Sequence, residues 1–79
     1  MDITTTARDR AILRAVAAGG AELTCGAGAD LFLDGRSCCD QPAAHRLACV
    51  GLIAPAFAGT AGQRVPARLT STGRLQLAA

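Results

Sequence analysis

The stretch Leu47–Gly73 restricts the fold of this chain more than any other part of the sequence. A predicted helix ends at Gly51, and an apolar strand follows it directly. A glycine-rich tip at Gly59–Gly62 separates that strand from a basic strand over Arg64–Leu69, and Thr70 is placed to cap a last helix. The stretch therefore predicts a helix, a β-hairpin and a second helix in direct succession.

The length of the chain limits the size of its core. A chain of 79 residues predicts one domain, residues 1–79, which buries only about 60% of the surface that the unfolded chain exposes. The aromatic residues are Phe32 and Phe57 alone, so the core must be built from aliphatic side chains. Because such a core is small, a homodimer seam on the terminal helix would add stability.

Composition indicates the source and compartment of the chain. No apolar run approaches the roughly 18 residues needed to span a bilayer, and residues 1–4 lack the basic start of a signal peptide. Apart from the single histidine, every basic side chain is arginine, and lysine, asparagine and tyrosine are absent. This composition is typical of a very GC-rich coding sequence, because the codons of the three absent residues are AT-rich. We therefore expect a cytoplasmic protein, without a membrane partner, from a high-GC bacterium or phage.

Four cysteines allow two interpretations. Thiols stay reduced in the cytoplasm and no C-x-x-C pair is present, so the first interpretation is four small buried or half-buried hydrophobic side chains. The alternative is a zinc site, because His45 and Cys49 would share a helix face. Its ligands would be Cys25, Cys38 or Cys39, His45 and Cys49. We expect neither a metal nor a cofactor.

A first helix is predicted between Thr6 and Gly19. Thr6 with Asp9 forms a weak capping box, and Gly19 ends the helix. Its apolar face, with Asp9 at the edge, carries Ile12, Leu13 and Val16. Arg10 and Arg14 lie four residues apart and form a basic stripe, which is either a solvated face or a set of secondary phosphate contacts.

A β-hairpin with a glycine-containing loop is predicted between Glu22 and Asp34. Two short apolar runs flank the loop Gly26–Ala29, and the dipeptide Asp34-Gly35 predicts a tight turn after the second run.

A second helix is predicted from an Asp40 cap to Gly51, with a proline in its first turn. Its core face carries Ala43, Ala44, Leu47 and Val50. The opposite side presents Gln41 and His45, with Arg46 on the flank. Such side chains can donate and accept at base edges or phosphates, as a recognition helix must. The alternative is that His45 is only a solvent-facing polar residue.

The last hairpin is predicted to be basic on one face. Pro55 and Pro66 predict that its two strands lie at sheet edges, because proline has no N–H to donate within a sheet. Alternation in the return strand brings Arg64 and Arg68 to one face, where they suit a phosphate backbone. The terminal helix would dock through Leu69, Leu75 and Leu77.

The C-terminal half of the chain resembles winged helix-turn-helix transcription regulators, of the MarR type and related small bacterial or phage proteins. The resemblance rests on Leu47 with Gly51-Leu52-Ile53, and on Ala67-Arg68-Leu69-Thr70 followed by Gly73. It implies a winged-helix fold and double-stranded DNA as the partner.

One departure from that family concerns the segment from Glu22 to Asp34. Such regulators normally place a helix before the recognition helix, whereas this segment predicts a hairpin. One alternative is that this segment forms a poor helix. The other is that the chain is a variant in which a hairpin replaces the helix. In the second case the helix after Asp40 is not held at the angle that enters a major groove. Asp30, Asp34 and Asp40 would also repel phosphates near the helix start.

The sequence therefore predicts an α+β, winged-helix-like domain in the order helix, β-hairpin, helix, β-hairpin wing, short helix. We expect a small DNA-binding transcription regulator or accessory factor. Its predicted DNA contacts are Gln41, His45, Arg46, Arg64, Arg68, Arg10 and Arg14. The alternative is a protein-interaction module without DNA binding, which meets its partner through Ile53, Ala56 and Phe57. One histidine and no paired carboxylates predict that the chain is not an enzyme.

Overall fold

The structure, a computed structural model, describes residues 5–26 and 28–78, which form three helices and five strands. In chain order the elements are α1 (Ala7–Ala17), β1 (Ala21–Thr24), β2 (Leu31–Leu33), β3 (Arg36–Ser37), α2 (Gln41–Cys49), β4 (Ile53–Pro55), β5 (Arg64–Leu69) and α3 (Ser71–Ala78). The predicted α+β class is confirmed. Residues 1–4, which the signal-peptide prediction concerns, and Ala27 of the predicted hairpin loop lie outside the described residues.

All five strands of the described chain belong to one antiparallel sheet in the order β3-β2-β1-β5-β4. The two predicted hairpins are therefore joined side by side, because β1 pairs with β5. In this pairing Leu23 lies opposite Val65, and Glu22 lies opposite Pro66.

Helix α1 begins as its sequence predicts. The Asp9 N–H donates to Thr6 Oγ1 at 3.1 Å, and the Thr6 N–H donates to Asp9 Oδ2 at 2.9 Å, which completes the capping box. The predicted apolar face is buried. Asp9 was expected at the edge of that face and is instead 1% exposed, because Arg46 of α2 covers its second carboxylate oxygen.

The turn between β2 and β3 is the predicted Asp34-Gly35 turn. Both residues have positive φ, 52° and 80° respectively, as a two-residue type I′ hairpin requires. Strand β3 was not predicted, because two residues are too few to show an alternating pattern.

Helix α2 begins at the predicted cap, where the Ala43 N–H donates to Asp40 Oδ1 at 3.1 Å. Ala43 and Ala44 are buried with Leu47, as expected. The prediction that Val50 faces the core is wrong, since Val50 is 45% exposed. It is the C-cap residue, so it no longer follows the helical face.

The two prolines of the last hairpin occupy different positions in the sheet. Pro55 lies in the edge strand β4, as predicted, but Pro66 lies in β5, between β1 and β4. Its carbonyl accepts from the Ala56 N–H at 2.8 Å, just past the end of β4. The backbone polar groups of Pro66 therefore face the end of the edge strand β4, so its missing N–H removes no bond to β1.

Helix α3 is capped by Thr70, whose Oγ1 accepts from the Gly73 N–H at 3.0 Å. The prediction that Leu75 docks this helix is wrong, because Leu75 is 72% exposed. Gly73 is buried and Leu77 packs against the core. Gly73 and Leu77 lie four residues apart, so they share the face by which the helix docks. Leu75 lies on the opposite side of the helix.

The core lies on one face of the sheet. Buried residues of α1 and α2 form one cluster with the buried strand residues Ala21, Leu23, Leu31, Ile53 and Leu69. The opposite face of the sheet, which carries Phe32 and Arg64, holds no fully buried side chain among the described strands. No helix in the described part of the chain has the length and apolar character that crossing a membrane requires.

Candidate functional site

Gln41, the first predicted groove contact, is engaged inside the protein. Its Oε1 accepts from the Leu31 N–H at 2.9 Å, and its Nε2 donates to the Leu31 carbonyl at 2.8 Å. The same Nε2 lies 3.1 Å from Ser37 Oγ and 3.1 Å from the Cys38 carbonyl. Gln41 is therefore half-buried, and its amide holds α2 to β2.

His45 lies at the surface beside an acidic partner. Its Nε2 is 3.1 Å from Asp30 Oδ1, and the two side chains are 42% and 53% exposed. A small cavity of about 310 Å³ adjoins it, lined by the glycines of the β1–β2 loop and by Cys49. An approaching phosphate would therefore meet the Asp30 carboxylate as well as the imidazole.

Arg46 forms an ion pair with Asp9 through its Nη2. The Asp9 side chain is 1% exposed, whereas that of Arg46 is 53% exposed. Asp9 is the one buried charged residue in the described part of the chain. Arg46 therefore neutralises a carboxylate that has little access to water, and ties α2 to α1.

Arg64 is held on the open face of the sheet. Its Nη2 lies 2.8 Å from Glu22 Oε1, and its guanidinium carbon lies 3.9 Å from the centre of the Phe32 ring. The planar guanidinium is thus paired at its edge and stacked on its face.

Arg10 contacts the end of α3. It donates to the carbonyl oxygens of Gln76 and Leu77 at 2.8 and 2.9 Å. These carbonyls are the unpaired acceptors of a helix C-terminus, where a cation is favourable. The predicted phosphate contact therefore joins α1 to α3.

Some exposed arginines form no ion pair with any described carboxylate. This group includes Arg14, Arg36, Arg68 and Arg74. Arg14 and Arg68 were predicted as DNA contacts. Arg68 makes one long hydrogen bond, 3.5 Å, to the carbonyl of its neighbour Leu69. Arg74 was missed by the sequence analysis, although its spacing of three residues from Leu77 places both on one helix face.

Arg68 and Arg74 flank a groove of about 400 Å³, which we call the α1–β5–α3 groove. Its apolar lining includes Val16, Ala67, Leu69 and Leu77. The groove exists only because α1 and α3 lie over β5, and no local sequence pattern gives that arrangement.

A second cleft, of about 450 Å³, opens between α1 and the β2–β3 hairpin. Ala11, Ile12 and Leu33 line it, and the exposed ion pair between Arg8 and Asp40, 3.5 Å, lies at its rim.

The four cysteines are all free thiols. Cys38 is buried and Cys25 is half-buried, as expected, but Cys39 and Cys49 are exposed, which corrects the prediction for those two. Within residues 5–26 and 28–78 no three His, Cys, Asp or Glu side chains cluster closely enough to hold a metal ion. The proposed zinc ligands are therefore not brought together.

The predicted protein-binding residues of the last hairpin separate into two groups. Ile53 is 2% exposed and belongs to the core, so it cannot meet a partner. Ala56 is exposed and Phe57 is 55% exposed, which leaves an aromatic ring at the surface beyond the end of β4.

Comparison of the chain with protein-family models, curated proteins and solved structures gives no match.

Proposed function

We propose that this protein is a protein-interaction module on a winged-helix-like scaffold, with no DNA binding at physiological salt. The scaffold is supported by the helix α2 that runs into the β4–β5 hairpin, and by the pairing of that hairpin with β1. The β1–β2 hairpin lies along the chain where winged-helix regulators carry the helix that precedes their recognition helix.

One observation carries the proposal: most predicted DNA contacts already have partners within the protein. Gln41 binds the β2 backbone, His45 binds Asp30, Arg46 binds Asp9, Arg64 binds Glu22 and Arg10 binds the end of α3. Side chains that are committed in this way are poorly placed to read base edges or to hold phosphates.

Releasing these side chains for DNA would be costly. If Arg46 turned to a phosphate, the buried Asp9 carboxylate would lose its charge partner, and an unpaired buried group costs about 1–3 kcal/mol or more. Arg64 would lose both its carboxylate partner and its ring contact. Such losses would offset much of what each phosphate contact contributes.

Exposed apolar side chains favour a protein partner. Phe57 stands at the surface, and Val50 and Leu75 are also exposed. Aromatic residues are enriched in protein interfaces, where an exposed ring supplies much of the contact energy.

The proposal is tested with the full chain in two assays. Fluorescence anisotropy of a labelled random-sequence duplex should show no saturation at physiological salt. A random-peptide display selection against the same protein should enrich peptides that bind saturably. Saturable duplex binding that weakens steeply with salt, together with no enriched peptide, would overturn the proposal.

Double-stranded DNA with a regulatory role is the second candidate. Two predicted contacts favour it, Arg14 and Arg68, because neither forms an ion pair with a described carboxylate. In this case Arg14→Ala plus Arg68→Ala should weaken binding to all duplexes alike. The salt slope should fall by about one unit for each lost phosphate contact. Equal slopes for the variant and the parent would remove these residues from a DNA interface.

A further inference from the structure

We propose that the α1–β5–α3 groove binds a peptide segment of a partner protein that carries carboxylates beside apolar side chains. This inference rests on the proposed protein-interaction function and names the chemistry of the partner. Arg68 and Arg74 would receive the carboxylates, while the groove floor would receive the apolar side chains.

The floor of the groove is apolar and fixed. Val16 and Leu69 are 3% and 6% exposed, so they belong to the packed core. Ala67 and Leu77 are half-buried and extend this floor toward the surface. A ligand that covers them gains hydrophobic stabilisation from a surface that is already formed.

The rim of the groove is positive and not neutralised. Arg68 and Arg74 are both exposed, and no described Asp or Glu lines the groove. The four cation–carboxylate pairs of the described chain use Arg8, His45, Arg46 and Arg64. Because a guanidinium presents a planar fork of donors, two unpaired arginines at one groove are complementary to carboxylates.

The apolar floor decides between an acidic peptide and nucleic acid. A phosphate backbone would contact Arg68 and Arg74 but would gain nothing from the side chains between them. A peptide with alternating acidic and apolar side chains satisfies both parts of the groove.

The test uses peptides from the display selection on the wild-type full chain. We expect the enriched peptides to combine Asp or Glu with Leu, Ile, Val or Phe. Fluorescence anisotropy should show binding that falls at least about tenfold when the acidic residues are changed to their amides. Arg68→Gln plus Arg74→Gln should produce a loss of similar size.

Arg36→Gln is the matched control, because Arg36 is also exposed and unpaired but lies in β3, at the far edge of the sheet. It should leave affinity unchanged, and thermal melts should show that all variants fold.

The outcomes separate the two proposals. If peptides are enriched but bind the double variant as tightly as wild type, the groove assignment is wrong and the protein-interaction function stands. If no peptide is enriched, the groove assignment is wrong, and saturable duplex binding in the same preparation would then overturn the interaction function as well.

Discussion

Gly73 lies where α3 packs closely against the backbone of Leu52. A Cβ at this position would overlap the backbone carbonyl oxygen of Leu52. Alanine has a helix propensity about 1 kcal/mol better than that of glycine. However, the added Cβ would overlap a backbone atom, and such an overlap costs more free energy than overlap with a flexible side chain that can move. The absence of a side chain therefore sets the distance between α3 and the start of β4.

Gly73→Ala should therefore destabilise the protein by about 1–3 kcal/mol. For a domain of this size that loss lowers the melting temperature by roughly 4–8 °C for each kcal/mol. Thermal unfolding followed by circular dichroism measures it. Thr72→Ala, at the exposed neighbouring position, is the control and should change little. A Gly73→Ala melt at or above that of wild type would contradict the close approach.

Asp9 accepts from two donors at once, the Thr6 N–H and the Arg46 guanidinium. In Asp9→Asn one of these donors would face an amide NH₂, so we expect a loss of about 1–3 kcal/mol in the free energy of unfolding. Asp40→Asn is the control, because asparagine is as good a helix N-cap as aspartate. Urea denaturation of both variants checks the difference, and equal midpoints would show that the Asp9–Arg46 pair contributes nothing.

At the scale of elements, α2 is attached to the sheet through the amide of Gln41. Its Nε2 must donate to the carbonyls of Leu31 and Cys38. In Gln41→Glu a carboxylate would face these carbonyls, so we expect a loss of about 1–3 kcal/mol and faster amide exchange at Leu31.

Gln63→Glu is the matched control for this change. Gln63 uses only its Oε1, which accepts from the N–H and hydroxyl of Thr60 at 3.0 and 3.3 Å, and a carboxylate would accept both bonds. Hydrogen exchange and urea denaturation should therefore separate the two variants. If Gln63→Glu destabilised the protein as much as Gln41→Glu, the donor role of Gln41 would be wrong.

The sequence could predict elements whose signals are local. The Thr6–Asp9 capping box, the Asp40 cap and the Asp34-Gly35 turn each depend on residues at most three positions apart. The predicted positions of Pro66 and Leu75 were wrong, because they depend on which strand lies beside β5 and on which residues α3 uses to dock.

The candidate site was less predictable than the fold for the same reason. The arginines could be read from the sequence, but their carboxylate partners lie far along the chain. Arg46 meets Asp9 and Arg64 meets Glu22, at separations of 37 and 42 residues. Whether an arginine is available to a ligand is decided by these long-range pairs, and no local pattern contains them.

At the scale of the whole molecule, one hydrophobic cluster joins the helices to the sheet. It includes buried residues of α1, α2 and three of the central strands, and Leu77 of α3 packs against it. We therefore expect the described elements to unfold in a single transition, with a urea m-value of about 1 kcal/mol/M.

Far-UV circular dichroism and methyl NMR signals of Leu23 and Leu77 would check this prediction, because they report on the centre and the periphery of the cluster. Their midpoints should coincide. Earlier loss of the Leu77 signal would show instead that α3 is a separate folding unit.

The placement of β5 between β1 and β4 has a consequence for biosynthesis. The N-terminal strands leave the ribosome first, yet β1 has no partner on one side until Arg64–Leu69 has been translated. During that interval the nascent chain presents an open strand edge to other chains and to chaperones. Translation speed over the codons between β1 and the end of β5 should therefore influence how much of the protein reaches its native fold rather than aggregates.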